Sequence, residues 1–271
     1  MTQSFLKTKA EPSLSVGPGP YLHGRQSTSK IVWAILAALF PILILTIVFS
    51  GWTALKNYSA AVVCAFLFEY LFELVTAQKS RIHDGSSILF ALLFCLLMPA
   101  NASLGQIITG VFVTVVFAKE LFGGLGQHLF HPALVGYLFT ITVFPSPLPR
   151  FGLAITLLIP ICGAVLIWNQ FIRWQNAFFY FISSSLALYL LGFNVFEFSG
   201  FLMLIAFFFV TDFASSPITL EARVLFSTLA GLLTATFCFW MNLAQAAAAA
   251  ILISNAAVPL IDYFVYLVIR K

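Results

Sequence analysis

Groups able to hold charge or carry protons are scarce in this chain, and they gather in a few places. The densest is Val116-Phe-Ala-Lys-Glu-Leu-Phe-Gly-Gly-Leu-Gly-Gln-His-Leu-Phe-His-Pro-Ala-Leu-Val-Gly136, wedged between two apolar runs. Lys119 and Glu120 are adjacent and able to pair with each other or to serve a ligand. Gly123, Gly124 and Gly126 allow backbone to approach a flat ring or a phosphate closely. His128 and His131, flanked by Gln127 and Pro132, can titrate near neutral pH, but two histidines without a third ligand make a poor metal site. An ordinary re-entrant turn is the plainer alternative for the whole stretch.

Three further groups belong beside it. Glu69 and Glu73 lie four residues apart on one helical face inside an apolar run, where an ionised carboxylate costs several kcal/mol unless paired or hydrated. They are candidates for a cation or proton path; Glu73 could instead meet Lys79 or Arg81 near the membrane surface. In Arg81-Ile-His-Asp-Gly-Ser-Ser87, Asp84 or Ser86, with Gly85 between them, could cap a following helix, whose positive end could otherwise hold a phosphate. Thr211-Asp-Phe-Ala-Ser-Ser-Pro217 closes a second short apolar run in the same style, bringing Thr211, Asp212 and Ser215 into consideration. Asn255 and Asp262 are polar residues of the last run, and Asp262 is also a candidate for the ion path or for a helix partner.

The elements that must position these residues are set by composition. With 61% hydrophobic and 8% charged residues and a mean hydropathy of +1.03, the chain has too little polar surface for a soluble globule. It reads as an integral membrane protein, all-α and polytopic, with the lipid bilayer as its main surroundings. The net charge of +4 is a matter of topology and not of nucleic acid, for which no basic patch is evident. Cys64, Cys95, Cys162 and Cys238 are isolated in apolar segments and read as packing residues.

Residues 1–30 form a polar cytoplasmic tail with no signal-peptide pattern. Ten apolar runs come after it, over 31–49, 58–76, 86–98, 104–117, 133–144, 151–169, 177–191, 201–210, 224–240 and 246–269. Several are shorter than the roughly 20 residues that cross hydrocarbon and end at Pro or Gly, as broken or tilted helices do. With both termini inside, eleven Lys and Arg face the cytoplasm and only Lys56 and Arg150 the outside. Five runs per half require that two similar halves, 31–145 and 146–271, be inverted relative to each other. The expectation is about ten transmembrane helices in two inverted five-helix repeats, with the short helices converging near the midplane.

Gly123-Gly-Leu-Gly-Gln-His-Leu-Phe-His-Pro-Ala133 resembles the GGLGQNxFNPA signature of the NqrB/RnfD family, the membrane component shared by Rnf-type electron transport complexes and sodium-pumping NADH:quinone reductases. Tyr21-Leu-His-Gly-Arg-Gln-Ser-Thr28, Asp84-Gly-Ser86, Thr211-Asp-Phe-Ala-Ser-Ser-Pro217 and the ending Asn255 with Pro259-Leu-Ile-Asp262 resemble further motifs of that family, in order along the chain. The resemblance implies ten helices, bound flavin (FMN or another), electron passage coupled to Na+ or H+ movement, and a place in the bacterial inner membrane. It also implies partner membrane, Fe–S and flavin subunits of one complex.

The chain departs from the family pattern at informative positions. The family's S-G-A-T motif, whose threonine carries FMN, is absent, and the connection where it would stand spans only about 145–152. His128, His131 and Phe213 replace two Asn and a Pro of the signatures. The expected flavin is therefore noncovalent. It would be held near Gly123–His131 and Thr211–Ser216, with no catalysis by the chain alone. A cofactor-free channel or carrier, and a structural scaffold on the same fold, are the alternatives.

Overall fold

The computed structural model describes residues 27–76, 84–149 and 151–269. Tail residues 1–26, together with Lys79, Arg81, Arg150, Arg270 and Lys271, lie outside the described residues. Among the described residues, ten α-helices stand on the ten apolar runs: α1 (Thr28–Ser50), α2 (Trp52–Thr76), α3 (Ser86–Leu97), α4 (Leu104–Phe112), α5 (Pro132–Val143), α6 (Leu153–Trp168), α7 (Trp174–Leu190), α8 (Val195–Phe208), α9 (Leu220–Phe237) and α10 (Leu243–Ile269). Helix α4 runs on into a π-helical turn, Val113–Phe117, and a 3-10 turn, Glu120–Phe122.

Among the described residues, five segments are long and apolar enough to cross a membrane: α1, α2, Leu104–Phe122, α9 and α10. The others are shorter. At about 1.5 Å per residue, the 12 residues of α3 rise about 18 Å, well short of a hydrocarbon core of about 30 Å. Such a helix must be enclosed by protein, because its free ends carry unpaired carbonyl and N–H groups. Helix α3 is enclosed accordingly, with every residue buried except Ile88. A helix apolar on all sides belongs in the middle of a bundle.

Several helices begin before the apolar run that marks them. Helix α2 starts at Trp52 and not at Tyr58, and α8 at Val195 and not at Phe201. Residues near a membrane surface can be polar or aromatic without leaving the helix, so hydropathy underestimates helix length there.

Close approach of helices is set by small residues. A Cβ on Gly110 would collide with the Phe94 ring and Thr140, and one on Gly136 with Thr114 and the Gly110 carbonyl. Glycine at these two positions lets α4 and α5 touch backbone to backbone. In the second half a Cβ on Gly231 would meet Ser183 and the chain at Tyr180, joining α9 to α7 in the same way.

Where the short helices end, buried asparagines take up the loose carbonyls. Asn57 Nδ2 on α2 donates to the carbonyls of Ala100 and Ala102, both at 3.1 Å, just beyond α3. Asn176 Nδ2 on α7 donates to the carbonyl of Val210, also at 3.1 Å, just beyond α8.

Candidate functional site

The π turn places the first group of functional side chains. One residue too many in the helical ladder makes Ala118 N–H bond to the Val113 carbonyl, five back, and rotates the residues after it. Lys119 is thereby turned inward to 1% exposure. Its ammonium lies 2.6 Å from Glu69 Oε1, 2.9 Å from Glu120 Oε1 and 2.7 Å from Ser87 Oγ. Three oxygens around Nζ satisfy the three donors of an ammonium. Glu69 is 2% and Glu120 6% exposed, so the group has little water to screen it.

Among the described residues, two carboxylates stand against one ammonium here, more acid than base. Glu73 lies buried one turn along α2 from Glu69. Excess buried negative charge is relieved by taking up a proton or a cation. Asp84 stands at the adjoining end of α3, close enough to act electrostatically on both Glu69 and Lys119. Its Oδ1 accepts from Ser86 N–H at 2.8 Å and Ser86 Oγ at 2.6 Å, so the positive end of α3 already faces a carboxylate of the chain itself. Gly85 occupies the cap position with φ 73°.

Gly123, Gly124 and Gly126 all have positive φ, at 106°, 89° and 85°. Gly123 N–H returns to the Glu120 carbonyl and Gly124 N–H to that of Lys119, closing the helix end. The glycines thus let the chain reverse. Gln127 is exposed and packs over Gly123.

Beyond the reversal the chain meets the second half of the molecule. His128 Nε2 lies 3.1 Å from Asp212 Oδ2, in the loop after α8. The same carboxylate oxygen accepts from Ser215 Oγ at 2.7 Å and Ser215 N–H at 3.2 Å. Asn255 on α10, with its amide set so that donors face acceptors, donates to the Ser215 carbonyl at 3.2 Å and accepts from His131 N–H at 3.2 Å. His128, His131 and Asn255 are 2%, 1% and 1% exposed. Phe90 of α3 packs edge-on against both imidazoles, at 5.3 and 5.5 Å between centroids. Pro132 then opens α5 at the position where a missing N–H costs nothing. The Nδ1 atoms of both histidines are buried without partners.

Of the residues singled out in the sequence, most fall into these two groups, which α3 joins through Ser87 and Phe90. Thr211 stands at the edge, its hydroxyl donating to the Phe207 carbonyl at 2.6 Å. Asp262 joins neither group: it lies about two turns beyond Asn255 on α10, with Oδ1 buried and unpartnered. Ser87, Asn57, Asn176 and Phe90 are functional neighbours that sequence reasoning misses. The two asparagines do carry a signal, being polar residues at the start of apolar helices. Thr156, near the place of the missing attachment motif, packs so closely over Gly200 that a Cβ there would strike its hydroxyl.

Fold and site together define a multi-pass helical membrane protein whose buried charges gather where interrupted helices end. The chain belongs to the NQR2, RnfD, RnfE family, whose model matches residues 15–153 and 150–268. It is 27% identical to the D subunit of the ion-translocating oxidoreductase complex of Methanosarcina acetivorans, over 92% of this chain and 94% of the relative. It is 26% identical to the D subunit of the Na(+)-translocating ferredoxin:NAD(+) oxidoreductase complex of Acetobacterium woodii, over 94% of each. The D subunit of the ion-translocating oxidoreductase complex of Escherichia coli K12 is 25% identical, over 92% of this chain and 96% of the relative. That last alignment runs to 338 positions against 271 residues here, so the relative carries segments with no counterpart in this chain.

Proposed function

We propose that this chain is the integral membrane subunit of an ion-translocating electron transport complex of the Rnf type, working with the membrane, Fe–S and flavin subunits of that complex in a bacterial inner membrane. Family membership supports the class. The observation that carries the role of the site is the buried Lys119 ammonium held between Glu69 and Glu120, a charged group that a merely structural helix bundle has little reason to bury. In this reading Glu69 and Glu73 line the path of Na+ or H+, and Asp262 lies further along it. Lys119 balances the carboxylates between passages.

The redox group is a flavin held without a covalent bond. The polypeptide has no electron carrier of its own, and a flavin supplies that chemistry when bound. The buried, unpartnered Nδ1 atoms of His128 and His131 are polar groups that the carbonyl and ring-nitrogen edge of such a ring would satisfy. The Asp84–Ser86 turn, Lys119, the Gly123–Gly126 reversal, Gln127, Pro132, the Thr211–Ser215 loop and Asn255 frame that position.

The same reading takes the chain as two inverted five-helix repeats, 31–145 and 146–271, crossing ten times with both termini inside. Contacts support this: α2 packs on α3 as α7 packs on α8, and α4 on α5 as α9 on α10. Equivalent helices also touch across the halves, α1 with α6 and α5 with α10, as elements beside a two-fold axis do. Helices α1 and α6 each carry an internal proline, Pro41 and Pro160.

Oxidised-minus-reduced spectra of the purified chain test the flavin reading; a flavin signal supports it, and a colourless chain from an active complex contradicts it. The missing attachment threonine favours a second form, in which the chain scaffolds the complex and carries no flavin. Solute flux through the chain alone, without any electron donor, would instead mark a channel or carrier.

A further inference from the structure

An apolar groove of about 240 Å3 opens between α6, α7 and α8, lined by Ile167, Trp174, Phe178, Phe181, Met203 and Phe207. From Trp174 to Phe181 it follows α7 for about two turns, roughly 10 Å. Its Trp174 end coincides with the start of α7, where Arg173 takes the cap position and no side chain caps the first-turn N–H groups. Helices α7 and α9 pack side by side: Tyr180 meets Thr234 at 3.1 Å, and Gly231 lies against Ser183. Arg223, at the start of α9, lies near enough to Arg173 for the two cations to repel.

Arg223 is held in place by carbonyls. Its Nε donates to Pro217 O at 3.1 Å and its Nη2 to Ile218 O. Neither arginine has a carboxylate within ion-pair distance among the described residues. Glu221, the acid nearest along α9, is exposed and sits two positions from Arg223, which places it on another face of the helix. Two neighbouring cations and an open helix N-terminus thus stand together without an anion among the described residues, at the mouth of a slot with no polar lining.

We infer that this is a binding site for an anionic phospholipid. Its phosphate sits on Arg173, Arg223 and the first N–H groups of α7, and one acyl chain lies in the groove past Trp174, Phe178 and Phe207. Basic residues between membrane helices on the cytoplasmic side recognise anionic headgroups in this way. Trp174 marks the depth of the interface, where indole rings settle. The site is separate from the buried charge clusters and does not depend on the redox reading.

Brominated-lipid quenching tests it. The full chain is placed in phosphatidylcholine vesicles containing either phosphatidylglycerol or phosphatidylcholine with brominated chains, and tryptophan fluorescence is followed. Quenching by the anionic lipid should exceed that by the zwitterionic one, with a preference of about 5-fold for each arginine engaged. The excess should vanish in Trp174→Phe, which removes the reporter, and in Arg173→Gln/Arg223→Gln, which keeps the reporter and removes the charge. Equal quenching by both lipids in the unaltered chain overturns the proposal. So does an excess that survives the double arginine substitution, or one that millimolar inorganic phosphate removes as fully as the substitution does.

Discussion

Asn57 and Asn176 perform the same task in opposite halves of the chain: each reaches from the start of its helix to a carbonyl just past a short neighbouring helix. Both are buried, at 3% and 0% exposure, and of the carbonyls they serve those of Ala102 and Val210 belong to buried residues. Replacing either by Ala strands a buried acceptor, at a cost of about 1–3 kcal/mol. Asn57→Ala should be the more harmful, because Asn57 serves two carbonyls and Asn176 one. Unfolding midpoints in detergent check the order, and equal, negligible losses would mean the short helices end without their help.

Lys119→Met removes the one ammonium from between two buried carboxylates. Breaking a buried pair from one side costs about 3–5 kcal/mol, because a charge is left uncompensated. Pairing the change with Glu69→Gln should recover a substantial part of that loss. A double-mutant cycle on thermal stability measures the coupling; additive effects would show that Lys119 and Glu69 do not act as a unit.

At the loop pair, His128→Ala leaves Asp212 with only the donors of Ser215. A loss of about 1–3 kcal/mol is expected. His128→Gln, whose amide nitrogen reaches about as far as the imidazole Nε2, restores a donor and should stay within about 1 kcal/mol of the unaltered chain. Urea or heat unfolding of the two variants side by side separates a true latch from simple filling of space, which would penalise both alike.

Intact-mass measurement of the purified chain should give the polypeptide mass alone, without an added flavin phosphate. Thr156→Ala should leave any bound flavin unchanged, since the Thr156 hydroxyl is packed against Gly200. An excess mass matching FMN would show a covalent link at a position with no S-G-A-T motif.

Much of the scaffold is legible in the sequence because hydrocarbon imposes its own grammar. Helix α3 is bounded by Asp84-Gly-Ser before it and Pro99 after it, residues that start and stop helices wherever they occur. Glu69 stands out because a carboxylate in an apolar run needs a reason to be there. Its partner is hidden, since Lys119 is fifty residues away and reaches it only through a π turn that no local pattern announces. The pairing of His128 with Asp212, 84 residues apart, is hidden in the same way. Asn57 escapes notice because the apolar run begins at Tyr58, one residue too late to include it.

The central claim, that the Glu69 carboxylate lies on the ion path, is tested most directly by Glu69→Gln in the whole complex reconstituted into vesicles. Electron transfer and cation uptake would be measured together. Electron flow is expected to continue while the ions moved per electron fall by at least about tenfold, the effect of roughly 1.4 kcal/mol at one step. An unchanged ion-to-electron ratio in Glu69→Gln would contradict the role assigned to the buried Lys119–Glu69 pair.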